Sequence, residues 1–67
     1  MKKIKQGVYY HSHKGYDYFI EKVKGYDYKI YTDTKSYGHF QCATAGTLEG
    51  CKRMVKDWHK WRISHNE

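Results

Sequence analysis

Sixty-seven residues make one small domain, 1–67, and a chain this short buries only about 60% of its unfolded surface. Large aliphatic side chains are few, so the twelve aromatics must fill most of the core, and that content excludes a disordered chain. Thirteen Lys and Arg against seven Asp and Glu give a net charge of +6, which favours anionic partners such as nucleic acid or an acidic protein face; no apolar run reaches the length of a membrane span.

Cys42 and Cys51 are too few for a disulfide scaffold and form no CxxC pair. The basic start Met1-Lys2-Lys3-Ile4-Lys5 is followed by no apolar h-region, so secretion is not expected. The expected setting is a reducing cytoplasm with both thiols free.

Residues 3–11 read as a first strand, with Val8 and Tyr10 on one side and Tyr9 and His11 on the other. Lys14-Gly15-Tyr16-Asp17-Tyr18 then returns ten residues later as Lys24-Gly25-Tyr26-Asp27-Tyr28. Each copy is a turn signal followed by an alternating aromatic strand, giving strands at 16–23 and 26–32. A two-residue hairpin turn prefers Asn or Asp before the Gly, whereas a three-residue loop asks positive φ of Gly alone. Three-residue loops are therefore expected at both sites.

That register sets Tyr10 opposite Tyr18 and Val8 opposite Ile20. It also leaves Glu21 facing Asp27, an unfavourable pair. The apolar face then reads Val8, Tyr10, Tyr16, Tyr18, Ile20, Tyr26, Tyr28 and Ile30. With two-residue turns only the middle strand would flip, so Val8, Tyr10, Tyr28 and Ile30 are expected in the core either way.

A polar turn at 33–36 leads to a fourth, shorter strand at 37–43, with Phe40 and Cys42 inward and His39 and Gln41 outward. Thr47 is the natural N-cap. Leu48, Cys51, Val55 and Trp58 recur at helical spacing, flanked by Met54 and Trp61, and predict a helix over 48–62. Gly50 weakens it but permits close approach to the sheet. Residues 63–67 are expected to fray. The fold class is α+β: a three- to four-stranded antiparallel β-meander with one C-terminal α-helix packed on one face, β-β-β-(β)-α.

Three features bear on function. Lys52, Arg53, Lys56 and Lys60 form a basic stripe on the helix, with His59 at its edge; the stripe suits a row of phosphates, against an ordinary solvated face as the competing reading. Tyr9, Phe19 and Tyr31, with Lys29 beside them, would be exposed on the outer sheet face as stacking groups for bases. The nearby Asp17, Glu21 and Asp27 would repel phosphates, so a protein-binding surface or plain cross-strand packing competes there. His11 and His13, joined by His39, carry imidazoles that bind zinc or copper elsewhere, but their placement on separate strands and a turn makes no metal site the expectation.

No phosphate loop, HExxH or nucleophile elbow is present. Neither enzymatic activity nor a cofactor is expected. Three-stranded sheets followed by a helix occur in several DNA-binding modules, an architectural similarity only. The expected function is a small basic nucleic-acid-binding accessory protein acting through Lys52, Arg53, Lys56 and Lys60, with Tyr9, Phe19, Lys29 and Tyr31 on the sheet. The alternative is a regulator or inhibitor of the phage or mobile-element type, binding an acidic or mixed-charge protein through the aromatic sheet face. A homodimer through the outer sheet or an edge strand is compatible with both.

Overall fold

The computed structural model describes residues 1–23, 25 and 27–67. Among the described residues, five strands and one helix follow in order: β1 Lys2–Lys5, β2 Val8–His13, β3 Tyr16–Lys22, β4 Tyr28–Thr34, β5 Gly38–Ala45 and α1 Leu48–Ser64. The strands form one antiparallel sheet in the order β1-β2-β3-β4-β5, with the helix against one face. The α+β class is as expected; the strand number is not. Gly7, at φ +80°, turns the expected 3–11 strand back on itself and divides it into β1 and β2.

The first Lys-Gly turn is the two-residue kind. His13 pairs with Tyr16, and Lys14 and Gly15 sit at φ +49° and +85°, both in the left-handed region that a type I′ hairpin turn requires. A Lys there costs roughly 1–2 kcal/mol. The register it sets turns Tyr9, His11 and His13 toward the helix, beside Tyr16, Tyr18 and Ile20. Tyr9 then meets Tyr28 edge-on at 6.3 Å, a ring pair worth about 0.5–1.5 kcal/mol beyond its burial, and its area adds to that. Together these offset the strained Lys.

The flip falls on β2 and not on the middle strand. Val8 and Tyr10 consequently lie on the outer face, opposite Glu21 and Phe19, and are not core. Tyr28 and Ile30 are on the helix side as expected.

At the second turn, the loop assignment and the inward place of Tyr26 concern Lys24 and Tyr26, which lie outside the described residues. Gly25 has φ +79°, and Val23 N–H donates to the Asp27 carbonyl at 2.7 Å. Pairing of Ile20 with Ile30 and Tyr18 with Thr32 keeps the expected faces but shifts the register by two residues. Glu21 therefore faces Lys29, and the expected Glu21–Asp27 repulsion is replaced by an opposite-charge pair.

In β5 the register slips beside Ile30 and Tyr31, leaving Cys42 as the extra residue of a β-bulge. Cys42 and Ala43 consequently both pack on the core, and Phe40 meets Trp58, while His39 and Gln41 face outward. Both thiols are free; burial raises the Cys42 thiol to a pKa of about 11.

Thr47 caps the helix as expected, its hydroxyl accepting from Gly50 N–H at 2.9 Å. A Cβ on Gly50 would lie 3.3 Å from the Ala45 side chain and 3.1 Å from the capping oxygen, so the small residue does allow the close approach. Tyr18, Ile20, Ile30, Cys51 and Val55 are fully buried between sheet and helix. Burial of each large apolar member stabilises the fold by about 1.5–3 kcal/mol.

The C-terminal residues are held rather than frayed. The helix runs to Ser64 and ends with Asn66 at φ +57°. Asn66 N–H donates to the Ile63 carbonyl at 3.3 Å and Glu67 N–H to the Arg62 carbonyl at 2.9 Å, a Schellman arrangement. The Glu67 carboxylate then accepts from the Ser36 amide at 2.9 Å and the Ser36 hydroxyl at 2.5 Å. Those bonds hold its pKa below the usual carboxylate range and tie the helix end to the β4–β5 turn. Among the described residues no helix is long and apolar enough to cross a membrane.

Candidate nucleic-acid interface

The line Cys51, Val55, Trp58, Arg62 faces the sheet because its spacings of four, three and four stay on one side of a helix. Lys52 and Lys56 are each one residue round from this line and fall on the flank above β2. There, β2 and α1 bound a groove of about 340 Å³, lined by His11, Ser12 and His13 from the strand and by Glu49, Lys52, Arg53 and Lys56 from the helix. A hollow of about 230 Å³ beside it shares Glu49 and Lys52 and adds Lys3 and Tyr9.

Among the described residues the only acidic side chain lining the groove, Glu49, sits 3.6 Å from the Lys52 ammonium and is itself well exposed; an exposed pair of this kind is worth about 0–1 kcal/mol. A phosphate can displace it at little cost. His11 and His13 are both held below the usual imidazole pKa, by burial first and then by nearby positive charge: the N-terminal ammonium, His13 and Lys52 for His11, and Lys14 with Lys56 for His13. Chemically the groove offers a guanidinium fork, two ammonium groups and two imidazole N–H donors, the donor set that phosphate oxygens accept from.

Further along α1, His59 and Arg62 are buried against the sheet. His59, expected at the rim of the basic stripe, is instead 6% exposed. Its ring meets His13 at 4.8 Å and Tyr16 at 5.3 Å. Position 59 is one turn beyond Val55, so the helix rotation that buries Val55 carries His59 inward. Burial is the main cause of its lowered pKa, with His13, Lys14 and Arg62 adding to it.

Arg62 is 1% exposed. It donates from Nη1 to the Tyr18 hydroxyl at 3.2 Å and to Thr32 Oγ1 at 3.1 Å, and from Nη2 to the Asp33 carbonyl. Its guanidinium lies 4.2 Å from the Tyr16 ring centre and 4.9 Å from that of Trp58. Among the described residues no carboxylate pairs with it; neutral oxygens and ring faces hold the charge.

The sequence-designated residues divide between three places. Lys52, Arg53 and Lys56 come together in the groove. Lys60 is exposed on the helix but does not line it. Phe19, Lys29 and Tyr31 are on the outer sheet face, as expected, whereas Tyr9 is turned to the helix side by the β2 register and cannot stack there. Tyr10 takes its place: its ring lies 5.7 Å from Phe19, Phe19 lies 6.3 Å from His39, and His39 stacks on Tyr31 at 5.4 Å.

That row is fringed by acid. Asp17 accepts from the Tyr10 hydroxyl at 2.5 Å and Asp33 lies 3.0 Å from His39 Nδ1, with Glu21 opposite Lys29. His11 and His13 are on the helix side and His39 on the other, so the three imidazoles do not meet. Asp17 pairs across with Ser12 and not with His11. Compared with known proteins, the chain matches no family model, no curated protein and no solved structure.

Proposed function

We propose that this is a small nucleic-acid-binding accessory protein that grips the phosphate backbone in the groove between β2 and α1. The observation that carries the reading is the convergence of Lys52, Arg53 and Lys56 on the two imidazoles of His11 and His13 across one groove. Charge-assisted donors from two elements give a phosphate a fixed seat, which a solvated stripe on a lone helix would not. The carboxylates Asp17, Glu21 and Asp33 are on the opposite face of the sheet, away from the phosphate path. The reading is of a binding protein without catalysis, working in a reducing compartment where its two free thiols persist.

Fluorescence anisotropy with labelled duplex and single-stranded probes across a salt series tests it. Three cations each displacing a condensed counterion give a slope of log affinity against log salt on the order of −2 to −3. Absence of binding at low ionic strength, or binding indifferent to salt, would sink the proposal.

A second reading has its own observation. The row Tyr10, Phe19, Tyr31 and His39 crosses four strands among mixed charges, and such aromatic surfaces anchor protein partners. A regulator acting through that face would lose its partner on Phe19→Ala with Tyr31→Ala and keep it on reversal of the groove charges.

A further inference from the structure

The two edges of the sheet are built differently. β1 is four residues long and carries Lys2, Lys3 and Lys5, which is how an edge is kept from pairing with another strand. β5 is eight residues, Gly-His-Phe-Gln-Cys-Ala-Thr-Ala, without one formal charge, and among the described residues it pairs only with β4. The bulge at Cys42 interrupts it, with residues 38–41 and 43–45 in regular pairing with β4 on either side.

Flush with this edge is an apolar shelf on the helix. A hollow of about 330 Å³ is lined by Cys42, Ala43, Met54, Trp58 and Trp61, with Asp57 its only charge among the described residues. Trp61 is 38% exposed and Tyr37, at the start of the same edge, 59%. A free edge beside exposed indole is the combination that strand addition uses: main-chain bonds along the edge and side chains over the shelf.

The distribution of charge leaves β5 as the edge open to a second copy. The lysines and arginine of the groove are on the β2 flank, across the width of the sheet from β5. Two chains of net charge +6 can approach with least repulsion along the one edge that has no charge, leaving both grooves at the far ends. An antiparallel strand pairing is its own two-fold mate, so two β5 strands satisfy each other's free amides and carbonyls and bring the two shelves side by side.

We infer that β5 and the Met54–Trp58–Trp61 shelf form the interface with a second copy of this chain, joining two sheets into one of ten strands. The dimer has two phosphate grooves facing away from the interface. That last consequence rests on the groove reading; the interface does not.

Sedimentation equilibrium without nucleic acid is the test. The expected result is a concentration-dependent mass approaching twice the 8.1 kDa of the chain, with self-association weakened at least tenfold by Met54→Lys with Trp61→Glu. Hydrogen exchange of the unaltered chain covers the case in which that variant folds poorly. With rising concentration, protection is expected to grow at residues 38–45 and not at residues 2–5. A monomer at all concentrations, a dimer indifferent to the Met54 and Trp61 changes in a folded variant, or protection growing on β1 instead would each overturn the inference. Since no nucleic acid is present, a failure here is separate from a failure of the groove.

Discussion

Arg62 Nη1 donates to the Tyr18 hydroxyl at 3.2 Å, joining residues 44 positions apart. The bond fastens the last turn of α1 to the middle strand of the sheet. Through it the helix is fixed in rotation, and the flank carrying Lys52 and Lys56 is held over β2. Fold and candidate site therefore share one buried cation.

Arg62→Ala leaves Thr32 Oγ1 and the Tyr18 hydroxyl without their donor and opens a cavity under Trp58. The expected loss is about 3 kcal/mol or more, out of a total that for a domain this size is only about 3–10 kcal/mol. Arg62→Lys is expected to rescue little, because an ammonium cannot reach Tyr18, Thr32 and Asp33 together or stack flat on Tyr16. Urea denaturation followed by circular dichroism reads both. Unchanged midpoints would show that Arg62 holds nothing.

The β2–β3 turn gives the opposite sign. Lys14 occupies a positive φ that Asn adopts more readily, so Lys14→Asn is expected to stabilise the chain by about 0.5–1 kcal/mol. A loss of stability in thermal or urea melts would speak for a three-residue loop and against the register that turns Tyr9, His11 and His13 to the helix.

Stability should also depend on pH through His59. Its imidazole is buried against His13 and Tyr16 and is harder to protonate in the fold than its ordinary value of 6.5. The folded chain thus binds fewer protons than the unfolded one once pH falls below about 6.5. The stabilisation is fully present above that value and is lost as pH drops through the lowered folded pKa. His11 and His13 are shifted the same way and add to the slope. Urea midpoints at pH 8, 7, 6 and 5 are expected to fall over the last two steps, and to fall less in His59→Phe. A midpoint that rises on acidification would contradict the burial of His59.

Phosphate binding should respond to acid in the other direction while the fold lasts. His11 and His13 are mostly neutral at pH 7.5, and a phosphate in the groove favours their protonated forms. Affinity for a labelled duplex is expected to rise several-fold between pH 7.5 and 6, and His11→Gln with His13→Gln should flatten that dependence. A flat profile for the unaltered chain would remove the imidazoles from the site.

The sequence made much of this legible, and its failures have physical causes. The helix, its Thr47 cap and the small Gly50 were readable because period and capping chemistry are local. So were the inward Phe40 and Cys42. Turn preference pointed to the wrong loop at Lys14-Gly15, since the Tyr9–Tyr28 ring pair and the contact of His13 with His59 on the helix outweigh the strain on one lysine. That single residue of register moved Tyr9, Val8 and Tyr10 to the wrong faces. It also concealed the groove, because His11 and His13 could not be brought to Lys52 and Lys56 while β2 was turned away. Arg62 was discoverable in part. Its place on the line through Cys51, Val55 and Trp58 marks it as inward-facing, but a buried cation without a carboxylate has no sequence signature.

The groove itself is tested most directly by comparing two double variants in one binding assay at low salt. Lys52→Glu with Lys56→Glu is expected to reduce affinity for a labelled duplex at least a hundredfold and to lower the salt slope by about two. Phe19→Ala with Tyr31→Ala, on the opposite face of the sheet, is expected to leave both within a factor of about two, because the phosphate contacts of the groove carry the affinity. Loss of binding in the aromatic pair with retention in the charge-reversed pair would contradict a phosphate groove between β2 and α1.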